Sequence, residues 1–505
     1  MELLDALSLG FATALTPMNL LYCLVGVFIG TAVGVLPGLG PTATISLLLP
    51  LTFQMDATSS IIMLAGIYYG AMYGGSITSI LVNIPGEAAS IVTCIDGHVM
   101  AKNGRAGTAL GIAAFGSLIA GIATVIGIVL IGPSLAQAAL KFASPERFAL
   151  VVFGLTLVTF ISTSSRLRGI MSALAGLILS TVGLDVVSGQ QRFTYEAPYL
   201  LDGINLVILA MGLFGVGEVL ADAARRTEDA VVALPVPSRT SDLLPSREDW
   251  RLSGWPIARG TVLGFVLGLL PGGGAMIASF ASYVAEKKLS RTPERFGRGA
   301  IEGVAGPEAA NNAAAQTSFI PLLNLGIPTG AVMGVVLGAL MIHGVNPGPQ
   351  LYIEKPELFW GVVASMVIGN LMLVVLNVPL IGIFVRLLRV PAGLLSPLIL
   401  LVCIVGAFSI NNNVLDVLVM FAAGLAGLLM KKAVIDPAPL MVAFVLGTMF
   451  ESSLHQSLAI GYGSAWVFLE RPISATLLGA SVLVIAVSLI APLLVRRVID
   501  APGPN

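Results

Sequence analysis

Hydroxyls and amides stand inside long apolar runs at Thr42, Ser76, Thr78, Asn83, Asn311, Asn312, Asn324 and Thr329. Thr42, Asn83, Asn324 and Thr329 lie at proline–glycine clusters 37–40, 85–86 and 326–330, and the others share the apolar runs these clusters interrupt. Such groups can hold ions. Interrupting a helix frees N–H groups at one new end and carbonyls at the other. The N–H end carries positive partial charge and suits an anion, while the carbonyl end, with amide oxygens, suits a cation. Gly38, Gly40, Thr42, Ser76, Thr78, Gly272, Gly273, Gly274, Asn311, Asn312 and Thr329 are therefore expected to face a bound substrate. Asn83, Pro85, Gly86, Asn324, Gly326 and Pro328 are expected to line a cation site. Glycine there permits positive φ and lets the backbone approach a ligand closely.

The elements that must position these residues are transmembrane helices. Of 505 residues, 56% are hydrophobic and 10% charged, against roughly 25% charged in soluble domains. Mean hydropathy is +0.95. Apolar stretches recur, each about 20 residues and long enough to span the hydrocarbon core. The alternating ten-residue strands of an outer-membrane barrel are missing from the sequence. The expectation is an all-α polytopic membrane protein of about 12 segments. Apolar spans fall near 20–53, 59–83, 106–132, 147–163, 169–187 and 199–219, then 257–285, 310–342, 358–386, 391–409, 413–430, 437–450 and 473–495. A net charge of −1 gives no nucleic-acid footprint. Cys23, Cys94 and Cys403 lie in or beside apolar segments and form no CxxC or zinc spacing. Glu2 and Asp5 stand where a signal peptide carries positive charge, so no cleavable signal is expected.

Residues 221–259 are rich in Pro, Ser and charge and read as a linker between an N-terminal membrane repeat (1–220) and a C-terminal one (260–505). Its Arg225, Arg226, Arg239, Arg247, Arg251 and Arg259 place it in the cytoplasm, and Arg496 and Arg497 place the C-terminus there. The halves resemble each other. "GVLPGLGPTA" at 34–43 matches "GLLPGGGAMI" at 268–277, with Pro37 and Pro271 234 positions apart (271 − 37). "NIPG" at 83–86 is echoed by "GIPT" at 326–329, with Pro85 and Pro328 243 positions apart (328 − 85). The extra length falls in loop 286–299, whose counterpart is 54–60. That short loop has no Lys or Arg, whereas 286–299 holds Lys287, Lys288, Arg291, Arg295 and Arg298. The next pair reverses the bias: 96–107 carries Lys102 and Arg105, while 343–357 has one Lys against two Glu. Equivalent loops on opposite sides of the membrane are the sequence signature of inverted-topology repeats in secondary transporters.

The broken segments are built without charge. No Asp, Glu, Lys or Arg occurs from Ala6 to Met55 or from Ala309 to Ile353, so a bound anion must be neutralised by helix ends and a co-transported cation. Glu87 and Glu308 stand beside the breaks, either as site residues or as interfacial and helix-start charges. Gly74, Gly75, Ser76 and Ser79 serve equally well as small residues that let helices approach. His98, His343 and His455 are isolated near span ends, where an interfacial role suits them better than metal ligation.

With the halves aligned, four stretches stand out: "GVLPGLGPTATISLLLPLTF", "YYGAMYGGSITSILVNIPGEAASIVTCIDGHVMAKNGRAGTALGIAA", "GLLPGGGAMIASFASYVAEKKLS" and "GVAGPEAANNAAAQTSFIPLLNLGIPTGAVMGVVLGAL". They closely resemble the large membrane (permease) subunit of tripartite tricarboxylate transporters. The resemblance implies a bacterial inner-membrane permease working with a small membrane subunit and a periplasmic solute-binding protein. It also implies uptake of citrate or another tri- or dicarboxylate, driven by a sodium or proton gradient, with no other cofactor. Consistent with this, no Lys follows Gly, so the nucleotide-binding pattern G-x-x-x-x-G-K-[ST] is absent. Two other classes compete. A stand-alone ion-coupled exchanger or ion channel would also use broken helices. An intramembrane enzyme would need a paired nucleophile and base, and the sequence sets no nucleophile or base beside Asp185 or Asp202, which lie near span ends.

Overall fold

The computed structural model describes residues 3–36, 40–161, 165–185, 188–224, 234, 240–272, 274–388 and 392–499. Gly38, Gly273, Arg225, Arg226 and Arg239 lie outside these residues. The chain begins with α1 (Leu3–Ala14), α2 (Pro17–Val35), α3 (Pro41–Leu48), α4 (Ala57–Val82), α5 (Ile91–Met100) and α6 (Ala106–Ala139). Next come α7 (Ser144–Ile161), α8 (Arg166–Ser180), α9 (Leu206–Ala210) and α10 (Gly217–Ala224). The second half opens with α11 (Arg247–Gly268), α12 (Gly274–Leu289), α13 (Glu302–Thr317), α14 (Phe319–Leu325), α15 (Ala331–Ile342) and α16 (Leu351–Glu354). It continues with α17 (Pro356–Asn377), α18 (Ile381–Leu387), α19 (Ala392–Asn411), α20 (Val414–Lys432), α21 (Ala438–Ile460), α22 (Val467–Glu470) and α23 (Pro472–Ile499). The last three turns of the stretch read as linker are thus already helical, opening α11.

Among the described residues nine helical stretches are long and apolar enough to cross a membrane, including all of α4 and α17. Two shorter apolar helices, α1 and α15, accompany them. The chain is a multi-pass α-helical membrane protein, with a single two-residue strand pairing, Gly183–Leu184 with Gln191–Arg192, among the described residues. The stretch covering α5 and α6 is bent where Asn103 and Gly104 leave helical geometry, Gly104 at φ 78°.

Two compact units divide the chain. The larger comprises residues 1–139 and 205–433, the smaller 140–204 and 434–505. Within the smaller unit, Gly176 of α8 lies so close to the Leu440 carbonyl of α21 that a Cβ would collide with it. Arg192 forks onto Glu451 at 2.6 and 2.9 Å, and Arg471 reaches Glu146 at 3.3 Å.

The larger unit is built on α4 and α13, whose side chains are almost wholly buried. Small residues decide the packing. Gly26, Gly30 and Gly34 of α2 press on the backbones of Met63, Ile67 and Ala71 of α4. Gly260, Gly264 and Gly268 of α11 press on Gly306, Ala310 and Ala314 of α13 in the same way. Inside a membrane there is no hydrophobic drive between helices, so such close backbone approach supplies the attraction. Residue numbers rise together in both pairs, so each pair is parallel and the chain between its members must double back.

Candidate functional site

The doubling back happens at the proline–glycine clusters. In the first half α2 ends at Val35 and α3 starts from Gly40; in the second α11 ends at Gly268 and α12 starts at Gly274. Gly272 takes φ 108°, a conformation costly for any residue with a Cβ. Gly40, by contrast, is extended, and a Cβ there would meet nothing.

The second break has the same form in both halves. α4 stops at Asn83 and α14 at Gly326, both left-handed, at φ 62° and 70°. Asparagine and glycine are the residues that reach this region most readily. Pro85 and Pro328 then keep the chain extended, because proline has no N–H to continue a helix. In the first half the chain returns until Gly86 lies against Gly34 and Gly75. In the second it returns until the Thr329 carbonyl accepts a hydrogen bond from the Gly272 amide at 2.8 Å. New helices start from each tip, α5 through a short turn at Ala88–Ser90 and α15 at Ala331. Four helix starts, those of α3, α5, α12 and α15, therefore rise from the breaks.

The two halves meet along α4 and α13. Ser76 reaches Glu308 while Tyr68 lies against Phe319 at the start of α14, the tilted rings 6.4 Å apart, so the sequences run antiparallel here. The Ser76 hydroxyl donates to Glu308 Oε2 at 2.6 Å, and the Thr93 hydroxyl donates to Glu308 Oε1. Asn311, one turn along α13, donates from Nδ2 to Glu87 Oε1 at 3.3 Å. The other Glu87 oxygen accepts from the Ala89 amide at 2.6 Å, closing a capping box with Ser90. Glu87 is thus a helix-start residue and a partner of the second half at once. Beside Glu308 lies a small pocket lined among others by Tyr73, Ser76, Ser117 and Asn377.

Not every expected residue joins this cluster. Ser76, Gly86 and Asn311 do. Thr78 is instead tied to the carbonyl end of α2, donating to Val35 at 3.0 Å. Asn312 accepts from Gln316 at 2.8 Å, within a buried amide group that Asn370 approaches across Gly121. Thr329 and Gly272 form the second tip, with Gly326 and Pro328. Asn324 is fully buried and neither of its amide atoms has a hydrogen-bond partner. Asn83 is exposed and serves as the helix cap, Thr42 is half-buried, and Gly274 packs on Gly268. Thr93, Ser117, Asn370 and Asn377 were missed. The last two carried a signal, since amides two turns apart in an otherwise apolar span are rare unless they do something.

The loops gather at two ends. Asp96 Oδ1 accepts from the amides of Gly297, Gly299 and Ala300 at 2.7–2.8 Å, and its Oδ2 accepts from the Tyr283 hydroxyl at 2.9 Å. At the same end Arg105 pairs with Asp249 at 2.5 Å. Burial pushes the Asp249 carboxyl up, but the Ser246 hydroxyl and amide and the Arg105 guanidinium outweigh it and hold it below the usual range. At the other end His343 faces the Thr52 hydroxyl at 3.4 Å. Burial keeps its imidazole below the ordinary value, opposed by Asp56. Loops 96–107 and 286–299, both basic, therefore share an end, as do 54–60 and the start of 343–357. Among the described residues no group of three His, Cys, Asp or Glu could hold a metal ion, and the three cysteines are free.

A multi-pass helical protein whose paired, interrupted helices surround a buried polar interior belongs to the architecture of membrane transporters. The chain belongs to the tripartite tricarboxylate transporter TctA family, whose model matches residues 20–442. That is a family of transport proteins and not of enzymes. Two curated relatives come from Agrobacterium vitis. An uncharacterized 52.8 kDa protein in the TAR-I ttuC' 3'region is 50% identical over 497 residues, 98% of either chain. An uncharacterized protein in the TAR-II ttuC' 3'region is 50% identical over 234 residues, 46% of this chain and 97% of its own length. No solved structure matches.

Proposed function

We propose that the chain is the large permease subunit of a three-component secondary transporter in a bacterial inner membrane. It imports tri- or dicarboxylates with sodium or protons, by alternating access, together with a small membrane subunit and a periplasmic solute-binding protein. One observation carries this reading: each half presents the same doubled break at the same spacing. Gly26, Gly30 and Gly34 pair with Gly260, Gly264 and Gly268 at an offset of 234, and their contacts on α4 and α13 at 243. These are the offsets that separate the proline motifs.

The antiparallel course of α4 and α13, and the loops that share ends, support an inverted-topology repeat. Four helix starts without any Lys or Arg in the breaks suit a carboxylate, which fixed backbone dipoles can hold. The basic ends, with Lys102, Arg105, Lys287 and Lys288, face the cytoplasm in this reading, as do the linker and the C-terminus. The test is reconstitution of the permease with both partners in liposomes, followed by uptake of labelled citrate and of C4-dicarboxylates under imposed sodium or proton gradients. Accumulation that needs the binding protein and one of the gradients is the expected result. Full-rate uptake by the permease alone would overturn it and favour the stand-alone exchanger.

A further inference from the structure

The two halves share their backbone but not their charge. Glu308 occupies the place that Ala65 holds in the other half, and Glu87 the place of Gly330, at the 243 offset. An acidic pair therefore marks only one of two otherwise matching tips. A scaffold role would be expected to recur with the scaffold; this feature does not.

We propose that Glu308 is the proton-binding residue that couples the gradient to transport. This deepens the transporter reading above and rests on it. Glu308 is 2% exposed, and among the described residues no Lys or Arg forms an ion pair with it. An ionised carboxylate buried without a cation is expensive, so a proton must neutralise it in part of the cycle. The groups that face it are polar but carry no positive charge. They are Tyr73 and Ser76 on α4, Thr93 and Cys94 on α5, Ser117 on α6, and Asn377 on α17. The other charges nearby are acidic or already committed. Glu87 is bound to Ala89 and Asn311, Asp96 to three amides and Tyr283, Glu302 to Arg295, and Glu286 of α12 to Arg259 of α11.

A second observation points into the same pocket. Asn377 is 4% exposed, lines the pocket beside Glu308, and its Oδ1 has no partner. A water or substrate group there could hydrogen-bond to it and pass a proton on. Ser76 supplies the receiving device. Its hydroxyl is placed to donate either to Glu308, at 2.6 Å, or to the Met72 carbonyl, at 3.1 Å. When a proton arrives, an O–H bond forms on Glu308 and that group donates to the Ser76 oxygen, while the Ser76 hydrogen turns to Met72. When the proton leaves, the Ser76 hydrogen swings back to the carboxylate. The proton is taken from water on one side and released to water on the other, so the carboxyl alternates between one negative charge and none, and nothing else changes.

Two readouts test this. Infrared difference spectra of the purified permease between acid and alkaline pH should show a protonated-carboxyl band that Glu308→Gln removes. In the reconstituted three-component system, Glu308→Gln should abolish accumulation of labelled citrate under a proton gradient. It should retain citrate exchange between equal concentrations on both sides, which needs no net proton movement. Ser76→Ala, which removes the hydroxyl that alternates between Glu308 and Met72, should alter the pH profile of uptake. An unchanged carboxyl band in Glu308→Gln, or gradient-driven accumulation by that variant, overturns the proposal. A band that titrates through Glu308 in a wild-type assembly that carries no carboxylate would sink the transport reading and leave the proton site standing.

Discussion

Gly30 of α2 lies directly on the backbone of Ile67 of α4, so close that a Cβ would collide with its carbonyl oxygen. The same relationship joins Gly264 to Ala310. Gly30→Leu and Gly264→Leu should therefore each lower stability by about 1–3 kcal/mol or prevent folding, the usual cost of overpacking. Gly479→Ala, inside α23 where a Cβ meets nothing, should lose no stability and gain up to about 1 kcal/mol of helix propensity. Thermal unfolding in detergent would read the difference. Equal losses at Gly30 and Gly479 would show that the helix pairs are not held by backbone contact.

The loops give a second prediction. In a cysteine-free background, Gln54→Cys and Arg291→Cys, both at exposed positions, should react with impermeant thiol reagents from opposite faces of the membrane. The Arg291 position, in the basic loop that Asp96 anchors, should label only from the cytoplasm. Labelling of both from one face would remove the inverted arrangement and alternating access with it.

Much of this arrangement was legible in the sequence because its cause is local. Proline, glycine and asparagine break helices through their own backbone chemistry, so Asn83–Pro85 and Gly326–Pro328 announce themselves. The Lys/Arg bias of loops works through the bilayer and needs no knowledge of packing. Side-chain partnerships across the two halves did not announce themselves. Thr93 reaches Glu308 over 215 positions, and no spacing rule connects a threonine in one half with a glutamate in the other. Thr78 shows a different ambiguity. A hydroxyl beside a break can face a ligand or cap a neighbouring helix, and its hydrogen bond to the Val35 carbonyl is not readable from spacing.

Asn324 separates stability from function. Its side chain is fully buried with both amide atoms unpartnered by protein, and such a group costs about 1–3 kcal/mol. Asn324→Leu, close to it in volume, should fold at least as stably as the wild type. If the amide helps to bind the coupling cation, uptake should nevertheless fall to background. Unchanged transport with raised stability would assign Asn324 to no ion site.

Asn83 and Gly326 test what the left-handed caps require. They occupy equivalent places at φ 62° and 70°, so each should tolerate the other's residue. Asn83→Gly and Gly326→Asn are expected to express and transport near the wild-type level, because both residues enter this region with little strain. Asn83→Val and Gly326→Val should lose about 1–2 kcal/mol or more, since a left-handed residue with a Cβ costs that much and β-branching adds to it. The measurement is uptake at matched membrane expression alongside thermal unfolding. A stable Asn83→Gly that cannot couple transport to its gradient would show that the exposed amide binds the ion, whereas retained coupling confines the role of Asn83 to turning the chain.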